Sequence, residues 1–170
     1  MSTTGTPSTR RRTAPPWLAT AFRLPNGLYD RGLGRLLGHR FLRLTHTGRR
    51  TGRSRHVVLE VVEHDPVTGA VTVVSGFGRS ADWFRNVTAG GPVAVDLGRG
   101  PRLADHQVLP LEEAVAVLRR YEGRNRLAGP LVRRALGALV GWRYTGSDAD
   151  RRRLAAELPM VRLTPAASRP

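Results

Sequence analysis

The stretch FLRLTHTGRRTGRSRHVVLEVVEHDPVTGAVTVVS, from Phe41 to Ser75, decides the fold. Its opening alternates Phe41, Arg43 and Thr45 against Leu42, Leu44 and His46, the two-residue period of a strand with one face in a core. GRRTGR follows as a tight turn in which Gly48 and Gly52 tolerate positive φ. RHVVLEVVEH (Arg55–His64) is a long β-branched strand, DPVTG (Asp65–Gly69) is hairpin punctuation, and AVTVVS returns to Ser75. Successive short-turn connections predict an antiparallel sheet.

Working outward, residues 1–15 are rich in Ser, Thr, Pro and Arg and are expected to form a disordered basic tail, with Arg10, Arg11 and Arg12 solvated. Helices are expected from Trp17 to Leu24 and, capped by Asn26, through GLYDRGLGRLLG. After Ser75, a glycine loop leads into a short helix carrying Trp83 and Phe84, capped by Ser80 or Asp82 and ended by Gly90 and Gly91. PVAVDLG and PRLADHQVLP give two more strands. LPLEEAVAVLRRYEGR is the clearest amphipathic helix, with Glu112 and Glu113 in its first turn and arginines near its end. LAGPLVRRALGALVG and SDADRRRLAAE add helices, LPMVRLTP a final strand, and the last five residues, 166–170, should fray. This pattern is α+β: one domain over residues 16–165, its strands curled into a small closed or half-closed antiparallel barrel that hides the sheet edges.

The 170 residues carry no cysteine, which removes disulfide scaffolds, thiolate metal sites, iron–sulfur clusters and cysteine catalysis. No apolar run approaches a membrane span, and the basic N-terminus lacks the apolar segment of a secretory signal, so a cytoplasmic location is expected. The net charge of +15 comes from 28 basic residues, all arginine. One reading is GC-rich codon usage; the other is an anionic partner, such as nucleic acid, an acidic membrane surface or a phosphorylated small molecule. Aromatic residues at 6% do not suit a stacking platform for single strands. The five histidines form no metal signature, and no metal is expected.

Two local features carry chemistry. In THTGRRTGRSR (45–55), Arg49, Arg50, Arg53 and Arg55 interleave with Gly48, Gly52 and the hydroxyls of Thr47, Thr51 and Ser54. Glycines let backbone N–H groups approach an anion, and arginines clamp phosphate or carboxylate oxygens; the alternative is a solvated hairpin in an arginine-rich chain. In VVSGFGRSADWFRNV (73–87), a strand ends at Ser75 and enters a helix that places Trp83 and Asn86 on one face. There the alternative makes Trp83 a core aromatic and Asn86 a loop-capping amide.

Together LTHTGRRTGRSRHVVLEVV, VVSGFGRSADWFRNVTAGGPVAVDLG and ELPMVRLTP resemble the deazaflavin-dependent nitroreductase family of mycobacteria and other actinobacteria. The likeness rests on LTHTGRRTG (44–52) and on that family's W-[YF]-x-N-[LV] helix, here WFRNV (83–87), and covers roughly residues 35 to 110. It implies a split β-barrel of the flavin-reductase type, often dimeric. It also implies coenzyme F-420, an 8-hydroxy-5-deazaflavin with a phosphate and a polyglutamate tail, and hydride transfer to a small-molecule acceptor such as a quinone, nitroaromatic or enone. By that resemblance Thr47, Gly48, Arg49, Arg50, Thr51, Gly52 and Arg55 hold the phosphate and first tail groups. Val74, Ser75 and Gly76 run under the ring, and Trp83 and Asn86 finish the pocket. Two departures stand out: Phe77 and Arg79 replace the more usual small and lysine residues of the glycine loop, and Leu127–Arg153 differs from the stretch that carries the family's acceptor-positioning tyrosines. Ser75, Tyr121 and Tyr144 are therefore the catalytic candidates. The helical region after Tyr121 and the N-terminal helix around Trp17 are expected to cover the ring. The alternatives are an FMN-, haem- or lipid-binding split barrel without this activity, or a basic nucleic-acid or peripheral membrane-surface binder; no specific nucleic-acid partner is expected.

Overall fold

A computed structural model of the chain describes residues 40–125 and 129–166. Six strands close into an antiparallel barrel in the order β1-β2-β3-β6-β5-β4. They are β1 (Phe41–Thr47), β2 (Ser54–His64), β3 (Val71–Val74), β4 (Val93–Asp96), β5 (Arg102–Val108) and β6 (Met160–Pro165). Four helices accompany them among the described residues: α1 (Asp82–Val87), α2 (Leu111–Arg124), α3 (Gly129–Val140) and α4 (Asp148–Glu157). The barrel is split into two sheets. One joins β2 to β1, β4 and β5; the other joins β2 to β3, β6 and β5, so β2 and β5 belong to both.

The alternation on β1 behaves as its sequence requires: Leu42, Leu44 and His46 are buried, and the residues between them are not. Leu42 and Leu44 face Leu59 and Val57 of β2. With Val71, Val73, Val93, Val95, Val161, Leu163 and the α1 residues Trp83, Phe84 and Val87 they fill the barrel. Each fully buried leucine contributes about 1.5–3 kcal/mol. A bulge between Val61 and Glu63 lets β2 bury two successive residues, Val61 toward the barrel and Val62 toward a second core. That second core lies under α2, α3 and α4, where Val117, Leu118, Leu154 and Leu158 pack on Val62 and Met160.

Several expectations need amendment. Neither Ser80 nor Asp82 caps α1: Ala81 occupies the cap position without a side-chain bond, Ser80 Oγ donates to Phe77 O at 2.8 Å, and Asp82 is the first helical residue. Of the two turn glycines, Gly52 alone has positive φ (65°). Gly48 is required for space: a Cβ there would lie 2.9 Å from Thr51 Oγ1 and 3.3 Å from Arg53 O. Residue Ala166 extends the ladder by donating its N–H to Leu103 O at 2.8 Å. The basic tail, the helices expected over 17–24 and 26–38, and residues 167–170 lie outside the described residues. Among the described residues no helix is long and apolar enough to cross a membrane.

Candidate functional site

The turn between β1 and β2 is closed by its own backbone. Gly48 N–H donates to Arg53 O at 2.8 Å, and Gly48 O accepts from Thr51 and Gly52 N–H at 3.1 and 2.8 Å. The four arginines of this segment then separate. Arg49 turns inward: its backbone N–H and its Nη1 both donate to Asn86 Oδ1, at 3.2 and 2.8 Å, and its guanidinium meets Asp82 Oδ1 at 3.4 Å. Among the described residues, Arg50, Arg53 and Arg55 meet no carboxylate. A cavity of about 220 Å³ is lined by Gly48, Arg49, Arg50, Thr51, Arg55, Asp82 and Asn86. It is a recess walled by arginines and a glycine backbone, the chemistry an anion needs.

Asn86 is buried, and its Nδ2 lies 3.3 Å from His46 Nδ1. Burial, helped by the charge of Arg55, lowers the pKa of the His46 imidazole. This imidazole closes one end of the inward row begun by Leu42 and Leu44. The loop-capping reading of Asn86 is what the geometry gives, and the residue it caps is Arg49.

A second cavity, of about 350 Å³ and mostly apolar, opens beside the first. Val57 to Glu60 of β2, Val74, Gly76, Phe77, Trp83, Leu118, Tyr121, Leu136, Leu139 and Met160 are among its walls. Two elements line both cavities. On β2, Arg55 lines the charged recess and Val57, two residues along the same strand, lines the apolar cavity. On α1, Asn86 lines the first and Trp83, three residues earlier, the second. Trp83 is also a core aromatic, edge-on to Phe84 with ring centroids 5.9 Å apart.

The sequence-derived candidates thus divide. Gly48, Arg49, Arg50, Thr51, Arg55 and Asn86 come together at the charged recess, and Val74, Gly76 and Trp83 at the apolar cavity. Thr47, Gly52, Ser75 and Tyr144 line neither. Gly52 bends the turn, and Thr47 packs against Gly91. Ser75 is fully buried and its Oγ donates to Gly78 O at 2.7 Å, so its hydroxyl fastens the glycine loop. Tyr144 donates to Glu122, which also accepts from Arg151 Nη2 at 2.6 Å, tying α2 to α4; burial and that carboxylate raise the Tyr144 pKa. Tyr121 does reach the cavity: its hydroxyl donates to Glu60 Oε1 at 3.1 Å, and burial, then the Glu60 charge, push its pKa up to about 12. In the sequence Asp82 stands out only as a helix cap and His46 only by its inward parity with Leu42 and Leu44; nothing there marks Glu60. Among the described residues no group of three or more His, Asp or Glu side chains could hold a metal.

Residues 23–126 match the model of a family described as F420H(2)-dependent quinone reductase. No curated protein matches the chain significantly. Solved structures similar to it include one described as a domain-swapped dimer, at 17% identity and TM-score 0.49, covering 86% of this chain and 98% of that one. Another is an F420-H2 dependent reductase at 20% identity and TM-score 0.45, covering 73% of this chain and 93% of the other. A third is a pyridoxamine 5'-phosphate oxidase-related, FMN binding protein from Nostoc punctiforme PCC 73102, at 12% identity and TM-score 0.45, covering 90% and 82%.

Proposed function

We propose, given that the chain belongs to the F420H(2)-dependent quinone reductase family, that it reduces flat, hydrophobic acceptors of the quinone type in the apolar cavity. The protein is a deazaflavin-dependent oxidoreductase. The single observation that carries the reading is the continuity along β2, from Arg55 at the charged recess to Val57, Val58 and Leu59 at the apolar cavity. A phosphorylated ring compound needs that succession of charge and apolar surface.

The residues present fit the coenzyme. Among the described residues Arg50 and Arg55 meet no carboxylate, and Gly48 leaves the turn backbone open where a Cβ could not stand. In this reading Arg50, Arg55 and Thr51 hold the phosphate and first tail groups, while Val74, Gly76 and Trp83 bound the ring. When bound, the deazaflavin supplies a hydride from its C5 carbon, and the chain contributes orientation and the exclusion of water. Arg49 acts differently: paired with Asn86 and Asp82, it braces the turn from behind. Nitroaromatics and enones fit the same apolar, flat description. Anaerobic oxidation of the reduced deazaflavin by menadione, a nitroaromatic and a cyclic enone, followed spectroscopically, tests the reading. Turnover with the quinone is the expected result. No oxidation by any of the three, with coenzyme bound, would overturn the proposed acceptor class.

A further inference from the structure

Hydride transfer to a carbonyl acceptor leaves a negative oxygen that must be protonated. In a cavity walled by valine, leucine, methionine and tryptophan, that proton has few sources. Glu60 and Tyr121 are the titratable side chains among its described walls, and they are bonded to each other at 3.1 Å. Tyr121 is half-buried on α2. Glu60, on the outer half of β2, keeps about a third of its side chain in solvent, with Arg40 Nε at 3.7 Å. One end of the pair therefore meets water and the other meets the cavity.

Resting on the quinone-reductase reading above, we propose that Glu60 and Tyr121 form a proton relay from solvent to the reduced acceptor. Protonation of Glu60 from water reverses the bond it shares with Tyr121. The carboxylic O–H then donates to the Tyr121 oxygen, which frees the phenolic O–H for the acceptor. As the acceptor carbonyl takes the hydride and its two electrons, the Tyr121 O–H bond breaks toward the acceptor oxygen and the Glu60 O–H bond breaks toward the Tyr121 oxygen. A quinone thus gains one hydride and one proton and leaves as the quinol. Glu60 is left as carboxylate and recovers a proton from solvent. Among the described residues, Arg40 beside Glu60 and Arg124, which also acts on Tyr121, are the cations facing the pair.

The experiment compares two acceptors, assayed anaerobically with Glu60→Gln and Tyr121→Phe. Menadione needs hydride and proton. Methylene blue, a cation, becomes its neutral leuco form on hydride alone. Both variants are expected to lose about 100-fold in menadione turnover, with a much smaller fall in methylene blue reduction at saturating dye and deazaflavin affinity unchanged. The solvent deuterium isotope effect on menadione turnover should be present in the unaltered chain and altered in Glu60→Gln. Menadione turnover that survives both substitutions would overturn the relay and leave the quinone-reductase reading intact. An equal fall with both acceptors would also overturn it, by assigning the pair a purely structural role. Failure of the unaltered chain to bind the deazaflavin would overturn both readings.

Discussion

Arg49 and Asn86 are bonded twice, Asn86 Oδ1 accepting the backbone N–H of Arg49 at 3.2 Å and its guanidinium at 2.8 Å. A buried amide on a short helix thereby fixes a turn 37 residues earlier in the chain. The same amide meets His46 on its nitrogen side, so strand, turn and helix share one polar node inside the barrel mouth.

Asn86→Ala should cost about 1–3 kcal/mol in unfolding free energy, because Arg49 and His46 lose a buried partner together. Denaturant titration measures it. The turn should loosen as well, weakening deazaflavin binding by roughly tenfold. Full affinity in the variant would show that the node does not organise the recess.

Gly48→Ala and Gly52→Ala should separate space from backbone conformation. A Cβ at Gly48 would lie 2.9 Å from Thr51 Oγ1 and 3.2 Å from Arg55 Nε, so the turn and one clamp arginine must move. Coenzyme affinity should drop. At Gly52 nothing lies within 4 Å, and the cost is the left-handed backbone at φ +65, about 1–2 kcal/mol of stability. Its affinity should change much less. The reverse order would contradict the geometry.

Stability should fall as pH drops from about 8 to 5. The folded pKa of His46 is lowered chiefly by burial, so below 6.5 the unfolded chain binds a proton that the folded chain resists. Stability is complete above the unfolded value and is lost as pH falls from it toward the folded one. His46→Gln, which cannot titrate, should flatten this part of the profile in denaturant melts at successive pH values.

Part of the positive charge is internally matched. Arg119, Arg120, Arg151, Arg152, Arg153 and Arg162 each pair with a carboxylate. The net charge of +15 remains, and duplex DNA should meet it through nonspecific phosphate contacts alone, retained weakly and released by about 0.2 M salt. Tight retention above that concentration would favour a nucleic-acid role over a small-molecule one.

The barrel was readable wherever short-range pattern decides structure. FLRLTHT became β1 with its inward residues as alternation required, because parity determines which face of a strand is buried. The Asp65–Gly69 hairpin was equally local: Asp65 Oδ1 accepts from Val67 N–H at 2.9 Å, and Gly69 takes φ +70. What escaped the sequence was long-range pairing. Nothing near Arg49 says that its partner is Asn86, so four clustered arginines read alike although one of them is a brace. The apolar cavity was illegible for the same reason: Val58, Leu118, Leu139 and Met160 come from four separate elements. Tyr121 and Tyr144 look equivalent in sequence, and only packing gives one to the cavity and the other to Glu122.

The central claim is that the recess beside the GRRTGR turn holds the anionic part of a deazaflavin coenzyme. Equilibrium titration of deazaflavin and of FMN, in parallel, against the unaltered chain and the folded Arg50→Ala/Arg55→Ala double variant tests it directly. The expected result is preference for the deazaflavin and a loss of about 2–5 kcal/mol in the double variant. Equal affinity in the folded double variant, or binding of FMN with none of the deazaflavin, would contradict the account.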